Sequence, residues 1–281
     1  AATTFCDFAT FNGKLLLTNN IDLPQKWTGT STCTAMTVPT LLTRAKFIKE
    51  FNNYVLMANC YVSATSYTTR VYWSSFKDEA TWSATDFAEI GFNDGQPITS
   101  LKVLGDRLVV FKINSIYIMV FTGDANIPFI VQKTNSHVGC AAPWTIQEID
   151  NGLVFVNYDG MYYFDGANSY KISDKINGTF QSLNRSATAL EVAKAAYQKD
   201  KNKYWLSVPT SGSDYNTMVL VWDSFNNSFS KYTGMSASAL AIFNVKGIEE
   251  RIYFADYDGY TYRGDYGLDD YPLKSQTAIS A

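Results

Sequence analysis

The chain has 281 residues, of which 46% are hydrophobic and only 17% charged, and its net charge is −3. Such a composition supports a substantial core and excludes a disordered chain. It contains no run of 18 apolar residues to span a membrane and no basic block to neutralise phosphates, so membrane-spanning and nucleic-acid-binding classes are set aside.

In chain order, short apolar-aromatic runs alternate with turn residues. The first unit reads as strands over 4–11, 14–19 and 25–27, with an outer strand over 32–38. The second has strands over 45–51, 54–62 and 70–74, a turn over 75–82 closed by Trp82, and an outer strand near 86–90. After an Asn/Asp/Gly-rich loop at 91–97, the third has 98–103, 107–112, 115–121 and 129–133. The fourth is the clearest, with runs at 145–149, 153–157, 161–164 and 170–172. They are punctuated by Asp150-Asn151-Gly152, Asp159-Gly160 and Asp165-Gly166. Runs this short gain too few bonds to pay for helix nucleation. β-Branched and aromatic residues bounded by Asn-Gly and Asp-Gly are hairpin sequences, because Gly takes the positive φ of primed turns.

Beyond Ser173 the pattern changes. Ile176, Phe180 and Leu183 share one helical face, and Ser173 with Asp174 is placed to cap it, which predicts a short helical insertion near 174–184. The fifth unit then has 192–198, 203–208, 217–222 and 229–232, with a surface loop at 209–216. The sixth has 239–245, 251–255 and 260–263, and its fourth strand is either missing or supplied by 273–279.

One register runs through all six. Phe11–Asn20 aligns with Phe51–Cys60 without a gap, and the same plan recurs at Leu104, Asp150, Asn202 and Glu250. The equivalent second-strand positions are Leu15, Val55, Leu108, Leu153, Tyr204 and Ile252, spaced by 40, 53, 45, 51 and 48 residues. Four strands per unit at that period predict an all-β fold, a β-propeller of six four-stranded blades. Residues 1–265 are expected to form a single propeller domain. Residues 266–281 are expected to be its closing strand or the start of a further domain. The chain opens on Ala1 without a signal peptide, as expected of a processed chain or a piece of a longer one.

Candidates for chemistry are few. Cys6, Cys33, Cys60 and Cys140 are dispersed without a C-x-x-C pair, and His137 is the only histidine, so buried free thiols are expected rather than zinc. His137 lacks a readable nucleophile and orienting acid, and is read as a loop residue. Ser74/Ser75, Asp78, Thr81 and Trp82 partly resemble the Asp-box of sialidase-type propellers, itself a structural turn. Asp256-Tyr-Asp258-Gly259 and the acidic residues Asp265, Asp269 and Asp270 could be calcium loops. However, Asn157-Tyr-Asp159-Gly160 repeats the first of these shapes, which favours hairpin turns. No catalytic, cofactor-binding or metal residue is assigned, no cofactor is expected, and the chain is not expected to be an enzyme.

Three longer stretches carry a resemblance. They are Val71-Tyr-Trp-Ser-Ser through Phe87, Asp94-Gly-Gln-Pro-Ile-Thr-Ser-Leu, and Leu104-Gly-Asp-Arg-Leu-Val-Val-Phe through Tyr117. Gly139–Pro143, Asp159–Gly166 and Gly264–Asp270 continue it. Together they resemble the β-propeller structural proteins of tailed-bacteriophage virions, of tail, neck or stabilization type. The resemblance implies a rigid building block of the virion, assembled in the host bacterial cytoplasm. Its partners would be other virion proteins, in a homo-oligomeric ring. The alternative is a carbohydrate-binding or glycan-cleaving propeller that meets a host surface glycan during attachment.

Overall fold

The structure is a computed structural model, and it describes residues 5–265 apart from 246 and 248. Six antiparallel meanders follow one another along the chain. Blade one holds β1 (Asp7–Phe11), β2 (Lys14–Thr18), β3 (Gln25–Trp27) and β4 (Thr34–Ala35). Blade two holds β5 (Leu42–Phe51), β6 (Tyr54–Val62), β7 (Thr65–Ser75) and β8 (Asp78–Glu89). Blade three holds β9 (Ser100–Leu104), β10 (Arg107–Phe111), β11 (Ile116–Phe121) and β12 (Phe129–Lys133). Blade four holds β13 (Gln147–Ile149), β14 (Gly152–Asn157), β15 (Gly160–Phe164) and β16 (Ser169–Lys171). Blade five holds β17 (Lys194–Gln198), β18 (Lys203–Val208), β19 (Met218–Asp223) and β20 (Ser228–Thr233). Blade six holds β21 (Ala239–Val245), β22 (Glu249–Ala255) and β23 (Thr261–Arg263). The fold is a six-bladed β-propeller.

The chain divides into two compact units. Blades one to three make the first, together with the blade-four turn Gly166–Ser169; the rest of blade four and blades five and six make the second. In the first unit, the Asp7 carboxylate on β1 accepts from the Ile48 N–H at 3.0 Å and pairs with Lys49 Nζ at 2.8 Å, joining blades one and two. Lys14 on β2 pairs with Glu79 on β8. Apolar packing follows the same seam, with Phe11, Leu16, Ile48, Val55, Met57 and Tyr72 in one core. In the second unit, the Tyr204 hydroxyl donates to Thr145 O at 2.6 Å, and the Gln147 amide donates to Ala195 O at 2.9 Å, joining blades four and five. The Gln198 amide donates to Glu250 O at 2.7 Å, joining blades five and six. Each fully buried Leu, Val or Phe in these seams stabilises by about 1.5–3 kcal/mol relative to exposure.

Five of the six repeat positions, Val55, Leu108, Leu153, Tyr204 and Ile252, are buried to 1% exposure or less, as their common register implies. Leu15 is only half-buried, and its neighbour Leu16 takes the core position in blade one.

Three features differ from the sequence reading. First, Gly152 and Gly160 are strand residues, paired with Ile149 and Asn157, rather than positive-φ turn residues. What they require is smallness: a Cβ on Gly152 would lie 2.4 Å from the Tyr163 ring, and one on Gly160 2.4 Å from Ser173 Oγ. Gly166, at φ +99, does serve the conformational role. Second, β7 begins at Thr65, because Ser63 and Ala64 both adopt positive φ and close a tight turn that lacks the usual Gly or Asn. The turn before β8 is likewise only Phe76 and Lys77, so the outer strand begins at Asp78 and reaches Glu89 through register shifts in its pairing with β7. Third, the helical insertion has two parts, a 3₁₀ turn at Asp174–Ile176 followed by α1 (Asn177–Gln181). Ser173 does not cap it; its hydroxyl accepts from the Met161 N–H on β15 instead. A second helix, α2 (Ala187–Val192), follows, capped by the Ser186 side chain accepting from the Ala189 N–H. The strand expected at 273–279 lies outside the described residues.

Candidate functional site

All of the sequence candidates for chemistry except Asp269 and Asp270 fall within the described residues. His137 lies exposed in the loop after blade three. Cys60 and Cys140 are buried free thiols, whereas Cys6 and Cys33 are exposed, because they flank strand ends of the small first blade rather than its core. Burial pushes the Cys60 thiol far above its ordinary range, so it stays protonated and inert.

The Asp-box-like residues flank the β7–β8 turn, with Ser74 and Ser75 ending β7 and Asp78, Thr81 and Trp82 opening β8. Asp78 accepts from the Thr81 hydroxyl at 2.6 Å and from the Ala80 N–H at 2.8 Å, while the Trp82 indole donates to Glu79 O at 2.9 Å. Those bonds, the Thr81 hydroxyl first, hold the Asp78 carboxyl below its ordinary value. The Ser74 hydroxyl accepts from the Val55 N–H at 3.0 Å, tying β7 to β6. The two Asp-Gly shapes are also turns. Asp256 accepts from the Asp258 and Tyr260 N–H groups and from the Tyr262 hydroxyl. Burial works to raise its pKa, but these bonds prevail and lower it. Asp159 accepts from the Tyr162 hydroxyl at 2.7 Å and from Lys171. Asp265 pairs with Lys201 and Lys203, while Asp269 and Asp270 lie outside the described residues. Among the described residues, no three His, Cys, Asp or Glu side chains are grouped to hold an ion. Nor is any described helix long and apolar enough to cross a membrane.

What the blades do offer is surface at their strand ends. In an antiparallel meander the first and third turns emerge at the same end. In the first unit that end carries exposed apolar residues at successive third turns: Trp27 in blade one, Phe76 in blade two and Ile127 in blade three. Phe76 is the outermost member of an aromatic cluster. It packs on Tyr54 at 5.5 Å, Tyr54 on Phe129 at 5.1 Å, and Trp73 on Phe129 at 5.3 Å. In the second unit, Phe225 occupies the third turn of blade five and is 82% exposed. Its turn is fixed from beneath, since Asp223 accepts from the N–H groups of Phe225 and Asn226. Rigid turns that display large apolar side chains suit contact with another macromolecule, which would cover them. The sequence alone does not separate Phe76 and Phe225 from the many core aromatics; the distinguishing signal is their position inside two- to four-residue turns.

The family comparison decides what kind of propeller this is. Residues 27–235 match the family model described as "Bacteriophage P22 Gp10, beta-propeller", from β3 to just beyond β20. The chain belongs to this family. The match gives this Gp10-type propeller a phage structural role. Solved structures share only its fold. The extracellular domain of the putative one-component system BT4673 from B. thetaiotaomicron aligns at a TM-score of 0.59 and 12% identity, covering 98% of this chain and 33% of that one. The computationally designed Ika8 protein aligns at 0.52 and 13%, covering 91% and 69%. Hsv2 of Kluyvelomyces marxianus aligns at 0.50 and 10%, covering 99% and 79%. This chain thus spans about a third of the BT4673 chain. No curated protein matches it.

Proposed function

We propose that this Gp10-type propeller is a rigid component of the virion, in the tail, neck or head–tail region, and performs no chemistry. Residues 1–265 act as one propeller domain, with 266–281 its closing strand or the beginning of another. The family match carries the reading. Two structural facts support it. The Asp78, Asp223 and Asp256 carboxylates are committed to bonds with their own chain neighbours, and the exposed apolar side chains sit on stiff turns at the strand ends. Close packing and short paired strands give the stiffness such a part needs. Its neighbours are other virion proteins, and copies of the chain form a ring, assembled in the host cytoplasm.

The test is cross-linking mass spectrometry on purified particles. Cross-links from the lysines beside the exposed turns, Lys26 and Lys77, to other virion proteins and to a second copy are expected. Particles without the chain, or a purified chain that turns over a glycan, would overturn the proposal.

A further inference from the structure

In the second unit, the second turns of blades five and six lie side by side at the end opposite Phe225. They are the loops 209–217 and 256–260. Tyr215 of one and Tyr257 of the other meet edge to face, with ring centroids 5.0 Å apart. The Tyr257 hydroxyl accepts from the Asn216 N–H at 3.0 Å. Asn216 is fully buried, and its side-chain amide donates to Val192 O at 2.9 Å and Ala237 O at 3.0 Å. The pair of rings is thereby fixed to the blades beneath. Tyr260 belongs to the same Asp256-centred turn as Tyr257. All three rings remain about half open to solvent, at 53%, 42% and 52%.

The charge around them is one-sided. Asp214 and Asp258 flank the rings and are exposed, and neither loop contains Lys or Arg. Asp214 has one long contact, from the Asn184 amide at 3.4 Å. Asp256 is held within its turn. The neighbouring segment adds one cation, Arg185, beside Asn184. Aromatic faces and carboxylates both attract cations, and together they repel phosphates and acidic glycans. A neutral glycan would stack on the rings but gain little from the charge. A guanidinium or ammonium gains from both, and the fixed rings lower the entropy lost on binding.

We infer that this Tyr–Asp surface docks an Arg- or Lys-bearing segment of a neighbouring virion protein, an inference that rests on the virion reading above. The probe is a fluorescently labelled peptide of alternating Arg and Gly, titrated into the full chain at low salt and followed by anisotropy. Binding is expected for this peptide and not for its Glu/Gly counterpart. Tyr215→Ala, Tyr260→Ala and Asp258→Asn are each expected to weaken it about five- to tenfold. Tyr170→Ala, an equally exposed tyrosine on blade four, is expected to leave it unchanged. Thermal melts of each variant confirm folding. The tyrosine variants keep the charge, so equal binding by all of them means diffuse attraction to an acidic protein and overturns the inference. So does the absence of peptide binding, or displacement of the peptide by a neutral maltooligosaccharide. A chain found in particles but blind to the peptide loses this inference and keeps the structural role.

Discussion

Lys112 and Asp94 provide a quantitative test of how the first unit holds its blades together. Lys112, just beyond β10, has a fully buried side chain. Its ammonium donates to Asp94 Oδ1 at 2.7 Å, Asp94 Oδ2 at 2.8 Å and Gly91 O at 3.1 Å. Both acceptors lie in the loop between blades two and three, so the pair fixes that connection. Removing one partner of a buried pair costs about 3–5 kcal/mol, because the other charge is left uncompensated. Asp94→Ala leaves the buried ammonium with the Gly91 carbonyl as its hydrogen-bond acceptor and the Tyr117 ring 5.6 Å away. Water can enter from Asp94's side, which is 25% exposed, so about 3 kcal/mol is expected. Lys112→Met removes the buried charge and leaves a carboxylate that reaches water, at about 1–2 kcal/mol. The double variant should cost about 2 kcal/mol less than the sum of the singles. Urea unfolding monitored by tryptophan fluorescence reads this directly, and a 3 kcal/mol loss moves the midpoint by about 1 M when m is near 3 kcal/mol/M. Additive single effects, or an Asp94→Ala variant as stable as Lys112→Met, would refute the reasoning.

Further outcomes follow from other sites. Lys194, at the start of β17, is pushed down to about 7 by burial, against the opposing pull of Glu191, with the Trp144 ring 4.8 Å from its ammonium. The unfolded chain holds this proton up to about pH 10.5 and the folded chain releases it near 7. Stability should therefore rise with pH between those values and be flat in this term below them. Lys194→Met should abolish that slope and add about 2 kcal/mol at pH 6, as read by melts across pH. Gly139→Ala would drive a Cβ to 2.0 Å from Lys112 O, a backbone atom that cannot yield, and should cost at least about 3 kcal/mol in urea unfolding. Asp78→Ala should lower the melting temperature slightly without changing the oligomeric state measured by light scattering, since its bonds only brace the start of β8.

The blade repeat was legible because each blade's first turn fixes the register of the strand after it. Asn12-Gly13 and Asn52-Asn53 supply positive φ, and the strand beginning two residues later carries the repeat position. The boundaries of β7 and β8 were not legible, because Ser63, Ala64 and Lys77 hold positive φ under tertiary constraint rather than by preference. Helix α2 was hidden for a similar reason: only six residues long, it is held by packing of Ala189, Leu190 and Val192 more than by propensity. The candidate surfaces were not legible in the sequence. Tyr215 and Tyr257 come from different blades, and only the fold brings their rings together.

The most direct test of the central claim is quantitative mass spectrometry of purified infectious particles of the phage that encodes this chain. A structural propeller should be present at a fixed copy number per particle, unchanged through repeated gradient purification. Its absence from particles, with the protein confined to the lysate, would contradict the account.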